Sequence, residues 1–493
     1  MRMKKYINLK TVLTAFVFGF GLFACQTDKL NPIPQTSLSD KVVFSSPARI
    51  IQQVEGLYAG VKNGQFLGGR FQIYNDIRAD QFVNRLTNGV TGLQTWNYTL
   101  VESSSEVNNL WNAAYAAINL CNVFIKGMSD NAASFVPPTF PANFSTTANQ
   151  YVAEARFLRA LSYFSLLQLY ARPYIDGNGS KDGLPLRLQA ETNSSNNDLA
   201  RSSVADVYAQ IIADLDFAEQ NLPGSYSSAL LNTTRAHVNT AIALKTRVYL
   251  VMNNYAKVIT EANKIVPTSA PFVASTGVAN QLQSSYSAVF AVPQTTTESI
   301  LSFPFTTNDQ PGTQNQLAYY YLPSASGGNG EYYIKATGIY GDNVAWPLTD
   351  SRRSLITTSS GKQYLTKFPT PNPWTDKAPV IRYSEVLLNL AEALARTNSG
   401  VDTRGTALLN AVRQRSDASV TFAPATQSDL INNIMTERII EFLGEGLRSI
   451  DLMRLNASIP AAGTASPVPS SDPNYVWPIP SGELSTNALI KRN

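Results

Sequence analysis

The densest chemistry in the chain lies near its C-terminus. Arg382, Glu385, Glu392 and Arg396, then Glu437, Arg438, Glu441, Glu445, Arg448 and Asp451, recur at three- and four-residue spacings. Two carboxylates facing one sugar ring are what a glycoside hydrolase needs as acid and nucleophile. Here each carboxylate has an arginine three or four residues away or within a turn, and opposite charges so placed on helices neutralise one another. The spacing predicts ion pairs between packed helices, not a catalytic dyad. His237 is the single histidine, so a Ser-His-Asp or Cys-His arrangement would depend on it alone. Beside Arg235 at the start of a helix, it is expected to be a helix-end or surface residue. Cys25 and Cys121 are the two cysteines, too few with one histidine for a zinc site of His and Cys ligands. Cys121 falls on the apolar side of a helix, where a thiol acts as a small hydrophobe. Neither a Walker loop nor a dinucleotide-binding glycine turn occurs, and no cofactor is implied.

A second kind of chemistry is written into residues 64–104 and 271–375, which lack helical periodicity and are rich in Gly, Pro, Asn, Thr and aromatics. A neutral pyranose offers apolar C–H faces to aromatic rings and a hydroxyl rim to planar donors and acceptors. The first stretch supplies Asp80, Asn84, Arg85, Trp96 and Tyr98 as candidate ligand-binding residues. The second supplies Tyr320, Tyr332, Tyr333 and Trp346, amid Tyr319, Tyr321, Tyr340, Trp374, Gln314, Asn315, Gln316, Asn329 and Asn343. Trp96, beside Asn97 and Tyr98, is the foremost platform candidate. If Tyr319 to Tyr321 are extended, alternate rings point to opposite faces and only part of the triplet meets a ligand.

Scaffold elements must position these loops. Of 493 residues, 44% are hydrophobic, enough for a large buried core, and 15% are charged. The formal charge of +4 comes entirely from Arg2, Lys4, Lys5 and Lys10, so the remainder is neutral and lacks the footprint of a nucleic-acid binder. Those four cations precede a fourteen-residue apolar run, Thr11 to Ala24, too short for a lasting membrane span. Residues 1–24 read as a signal peptide, and Leu22 to Cys25 reads as a lipobox with Cys25 the acylated residue. Residues 25–48 then form the lipidated N-terminus and a Pro-rich tether.

The rest reads as helix pairs. Residues 151–170 carry apolar side chains on two sides, as in a helix sandwiched between layers. Residues 204–221 form another helix, and 236–266 a hairpin hinged at Asn253-Asn254. Residues 383–396 pair with 403–415, and 428–443 with 445–455. The expected fold is mainly α. Small residues punctuate the hairpins in the manner of tetratricopeptide repeats, but no strict repeat of about 34 residues occurs, and the period alone does not separate such packing from an irregular all-α fold. An N-terminal region, 49–235, precedes a C-terminal region, 236–493, that contains the insertion 271–375.

These helices carry recognisable wording. Residues 153–173 (AEARFLRALSYFSLLQLYARP), 381–393 (IRYSEVLLNLAEA) and 437–454 (ERIIEFLGEGLRSIDLMR) each resemble segments of the SusD/RagB family. The closing WPIPSGELSTN from Trp477, residues 108–125 and Asp350-Ser351-Arg352 are similar to it as well. Ala171 and Leu447 stand where the family often has Gly and His. The resemblance implies a TPR-like scaffold of about four helix pairs, with long loop and short-strand insertions making a ligand face, the ligand loops lying after the first helix and in the later insertion. It also implies an outer-membrane lipoprotein facing the exterior. It further implies a non-catalytic protein that captures a glycan and works with a SusC-type TonB-dependent transporter. Peptide capture as in the RagB branch, a protein-binding TPR scaffold and a surface glycosidase are the alternatives. The last would need two carboxylates beside the loop aromatics, and no such pair stands out.

Overall fold

In a computed structural model the structure describes residues 40–493. The signal peptide, Cys25 and the tether up to residue 39 lie outside the described residues.

The scaffold begins with α1 (Pro47–Val61), which enters on a proline in its first turn, where no amide hydrogen is needed. After the fully buried α2 (Arg70–Ile77) come α3 (Ser105–Asp130) and α4 (Phe144–Tyr170). From Phe157 to Tyr170 every residue of α4 is buried, because the helix lies between α3 and α5 (Val204–Asn221). The polar side chains within that buried stretch find partners. Ser162 and Ser165 donate to the carbonyls of Leu158 and Leu161, each at 2.8 Å. Arg159 forks onto Asp214 of α5 at 2.8 and 2.7 Å and reaches Asn122 of α3 at 2.7 Å, tying three layers together.

The layering continues through α6 (Val238–Val251) and α7 (Tyr255–Ala262), which fold back on each other at the expected Asn pair. Asn253 takes a left-handed φ of 55°, and Asn254 caps α7 by accepting from the Lys257 amide. Next, α8 (Tyr383–Thr397) packs on α7, α9 (Thr403–Ser416) and α10 (Gln427–Glu441), and α11 (Arg448–Arg454) follows. One hydrophobic core runs from Phe44 to Ile479 through these layers. The expected helical-hairpin scaffold is present.

Among the described residues the strands lie in the two loop stretches, except Ala378–Arg382, which follows the second stretch closely. An antiparallel sheet has the order β1 (Phe82–Asn84), β3 (Tyr332–Ile334), β5 (Lys362–Leu365), β4 (Ile356–Ser359). A separate pair joins β2 (Ser299–Phe303) to β6 (Ala378–Arg382). Two local expectations are corrected. Residues 70–77 are helical although they show no helical period, because every residue of α2 is buried and no polar face exists. β2 is buried along its whole length and has no solvent side. Tyr319 to Tyr321 lie in a helical turn, Leu317–Tyr321, which buries Tyr320 and Tyr321 together and leaves Tyr319 half-buried.

Candidate functional site

The sheet formed by both insertions builds the candidate site. Tyr332 and Ile334 of β3 are fully buried, and Tyr333 between them turns to the other face. Val83 of β1 pairs with Tyr333, and Arg85 lies two residues further along that face. On β5, Gln363 pairs with Ile334, which places Lys362 and Tyr364 on the face of Tyr333. The Tyr333 and Tyr364 rings are 6.3 Å apart, and the Lys362 ammonium lies 5.4 Å from the Tyr333 ring centre. Tyr364 seats against Gly330, whose φ is +57°. A Cβ there would stand 2.9 Å from the Tyr364 ring, so glycine is required twice over.

From this sheet a continuous ridge of polar and aromatic groups leads to the neighbouring loops. Arg85 donates from Nε to the Gly330 carbonyl at 2.6 Å and from Nη2 to the Asn329 carbonyl. Asn329 Nδ2 donates to the Tyr319 hydroxyl at 2.9 Å, and Gln314 donates to the same oxygen at 3.3 Å. The Tyr319 ring meets Trp374 edge-on, with centres 6.0 Å apart. Trp374, Tyr319, Arg85 and Tyr333 are all half-buried, held from below yet open above. Trp374 and Gln314 have left-handed φ values of 60° and 59°; strained backbone of this kind concentrates where a ligand must be met. A second layer supports the ridge. Tyr332 stacks on Tyr320 at 6.2 Å, and Arg70 lies 5.4 Å from the centre of the Tyr320 ring.

The ridge gathers Arg85 and Tyr333 of the sequence-based set, together with Tyr319, Trp374, Gln314 and Asn329 from their company. It leaves the others elsewhere. Tyr320, Tyr332 and Trp346 are at most 1% exposed, so they fill the core beneath the loops and present no ring to a ligand. Asn84 accepts from the Thr87 amide at 2.8 Å, and its own amide nitrogen is buried without a partner. Asp80 is held by both arms of Arg448, at 3.0 and 2.9 Å. Burial would raise its pKa, but that arginine brings it below the ordinary range. Tyr98 donates to the Pro460 carbonyl at 2.5 Å, and burial pushes its pKa up to about 12. Trp96 ends a short helical turn, Leu93–Trp96, and donates its indole N–H inward to the Phe82 carbonyl at 3.3 Å. Its ring lies against Gly463, where any side chain would collide with it. That geometry gives Trp96 a packing role. Lys362 and Tyr364 escaped the sequence reading, although K-Q-Y alternation after a Ser-Gly turn was their signal.

The helical carboxylates form ion pairs as expected, but mainly across the chain. Arg352 bonds Asp350, Glu437 and Glu441; Arg382 bonds Glu298, Glu441 and Glu445; Arg415 bonds Glu298 and Glu441. Only Arg396–Glu392 and Arg454–Asp451 among the motif residues use i+4 or i+3 spacing. Burial works against the Glu441 anion, yet Arg415, Arg382 and Arg352 hold its pKa well below the usual range. Cys121 is buried and free, as expected. His237 does stand at a helix end, as the N-cap of α6, but it is fully buried and not at the surface. Burial lowers its pKa to about 4, with Nε2 3.2 Å from the Asn232 carbonyl. Among the described residues no group of three or more His, Cys, Asp or Glu could hold a metal ion. No helix there is long and apolar enough to cross a membrane.

Comparison with known proteins agrees with this architecture. Residues 336–493 match the SusD family, and residues 28–250 match a family described as starch-binding and associating with the outer membrane. The SusD-like protein P2 of Formosa agariphila is 26% identical, over 100% of this chain and 99% of its own. The crystal structure of a SusD superfamily protein from Bacteroides fragilis is 31% identical with a TM-score of 0.80, covering 91% of this chain and 100% of its own. A laminarin-binding SusD-like protein shares the fold at 20% identity and a TM-score of 0.69, covering 91% and 99%. The two family matches leave residues 251–335 between them, while the Bacteroides fragilis structure covers 91% of the chain, and the chain belongs to the SusD family.

Proposed function

We propose that this protein is a non-catalytic, lipid-anchored capture subunit at the outer membrane, facing the cell exterior. It binds an oligosaccharide on the ridge from Trp374 to Lys362 and hands it to a SusC-type TonB-dependent transporter. The carrying observation is the half-buried Trp374–Tyr319 pair, whose tyrosine hydroxyl accepts from Gln314 and Asn329, with Asn329 tied through Arg85 to the sheet that bears Tyr333. Half-buried rings of this kind offer a surface to the C–H faces of a sugar, while the amides and guanidinium serve the hydroxyl rim. The helical carboxylates that resemble a hydrolytic pair are occupied by buried arginines, which supports capture without turnover. The signal run and Cys25 support the anchor. The test is a mild-detergent pull-down of the full chain from native membranes, followed by incubation of the complex with its best-bound glycan. One large β-barrel partner and an unchanged chain-length profile are expected. Recovery of the protein alone across several detergents, or hydrolysis lost in a single Asp or Glu variant, overturns the proposal.

A further inference from the structure

We infer that the glycan carries a negative charge, a uronate carboxylate or a sulfate ester, which seats between Arg85 and Lys362 at the sheet end of the ridge. This rests on the reading of the ridge as the glycan-binding face and goes further by naming the ligand's chemical class. The four strands of the sheet contain no Asp or Glu. Arg85 and Lys362 lie on one face of it, either side of the Tyr333–Tyr364 pair. Lys335 follows two residues after Tyr333. Among the described residues none of these three cations makes an ion pair, whereas Arg159, Arg247, Arg352, Arg382 and Arg454 are buried against carboxylates. Arg70 and Arg78 are likewise held by neutral acceptors, but both are buried and closed to a ligand, while Arg85 is half-buried.

Arg85 is the informative case. Its Nε and Nη2 are fixed by the Gly330 and Asn329 carbonyls, so the guanidinium plane is set, and Nη1 has no hydrogen-bond partner among the described residues. A half-buried arginine oriented by neutral acceptors is pre-organised for an incoming oxyanion, since little side-chain freedom is lost on binding. Lys362 rests over the Tyr333 ring with no hydrogen-bond acceptor among the described residues. The neighbouring carboxylate, Glu331, is fully buried and taken up by Thr91 Oγ1 at 3.1 Å and by Asn329 Nδ2. It therefore leaves the outer face positive. A sugar seated beside Tyr333 would bring an acidic substituent to the edge of that ring, where the Lys362 ammonium stands.

The experiment is calorimetry on the mature full-length protein with paired ligands. One arm uses oligouronates and the same oligomers after carboxyl reduction. The other uses sulfated oligosaccharides and their desulfated forms. Removing the charge is expected to weaken binding roughly tenfold or more, because hydrogen bonds to a charged group are about twice as strong as neutral ones. The arm that responds identifies the anion. Arg85→Gln and Lys362→Gln should erase the difference between the paired ligands, whatever either variant does to the affinity for the neutral form, and raised salt should do the same in part. Tighter binding of the neutral member, equal affinity within each pair, or no binding to any anionic chain overturns the inference. Trp374→Ala separates the two claims. If a neutral glycan binds and is lost in Trp374→Ala, the ridge reading stands and only the charged ligand is refuted.

Discussion

The helical base and the loop ridge use the same cation in opposite ways. At the base, Arg352, Arg382 and Arg415 are nearly inaccessible and converge on Glu298, Glu437, Glu441 and Glu445, so that every charge meets its opposite within the fold. On the ridge, Arg85 meets only carbonyls and Lys362 meets a ring. Breaking one partner out of a buried ion pair is costly, so the base must be complete before any ligand arrives. A half-exposed cation can wait for its partner. Residue type and motif strength therefore mislead: the most recognisable residues hold the fold together, and the least patterned ones line the proposed ligand face.

The comparison breaks most visibly at the base. Glu441 accepts from Arg382 at 2.9 Å, Arg415 at 2.6 Å and Arg352 at 3.1 Å. Glu441→Ala leaves those arginines short of charge and should cost about 3–5 kcal/mol in denaturant unfolding. Glycan affinity of the folded fraction should stay unchanged. A stable variant with lost binding would reverse the roles assigned to the two regions.

Asp76 stands where the regions join. Its Oδ2 accepts from the Tyr321 hydroxyl of the insertion at 2.9 Å and from the Gly446 amide of the base motif at 3.0 Å. Burial raises its pKa from 3.8 to about 8, in spite of those two bonds. A carboxyl raised in the fold contributes its full stability below the unfolded pKa and loses it as pH climbs through the folded one. Stability should thus fall between about pH 4 and 8 by up to a few kcal/mol, since each tenfold change in proton affinity is worth about 1.4 kcal/mol. Asp76→Asn keeps an oxygen for both donors and should flatten this slope in melting curves taken across that range. An unchanged slope would mean Asp76 is not the titrating group.

Sharper still is the contrast between two tryptophans. Trp96 is packed by Gly463 and bonded to the Phe82 carbonyl, whereas Trp374 stands on the ridge. Gly463→Ala forces a methyl group into the Trp96 ring at a left-handed φ of 56°. Overpacking of that kind costs about 1–3 kcal/mol. The expected readout is a lower melting temperature with glycan affinity kept; affinity lost at constant stability would return Trp96 to the binding face.

The sequence made the base legible because α8 and α10 keep a helical period with charges at fixed offsets. It also made the hinge at Asn253-Asn254 legible, since asparagine tolerates left-handed backbone there. Full burial hid α2, whose eight residues show no polar side to reveal a period. The tyrosine triplet was ambiguous because five residues are too few to distinguish alternation from a helical turn, and that choice decides which ring is presented. Lys362 and Tyr364 were in reach: Ser360 and Gly361, both at left-handed φ, make the two-residue turn that sets the β4–β5 register. The placement of Arg85 was not, for its partners Asn329 and Gly330 lie more than 240 residues away in sequence. Local pattern cannot foretell such a long-range bond.

The central claim is that ligand binds on the Trp374–Tyr319 end of a ridge that continues to Tyr333. Its most direct test is calorimetric titration of one oligosaccharide into the wild type and into a Trp374→Ala, Tyr319→Ala double variant, with melting curves on both. Each aromatic contact contributes about 0.5–1.5 kcal/mol beyond area burial, so the pair should cost roughly tenfold or more in affinity. The expected result is that loss, with the melting temperature nearly unchanged because both rings are half-buried. Affinity kept within about twofold, in a variant as stable as the wild type, would contradict the account and place the ligand elsewhere on the protein.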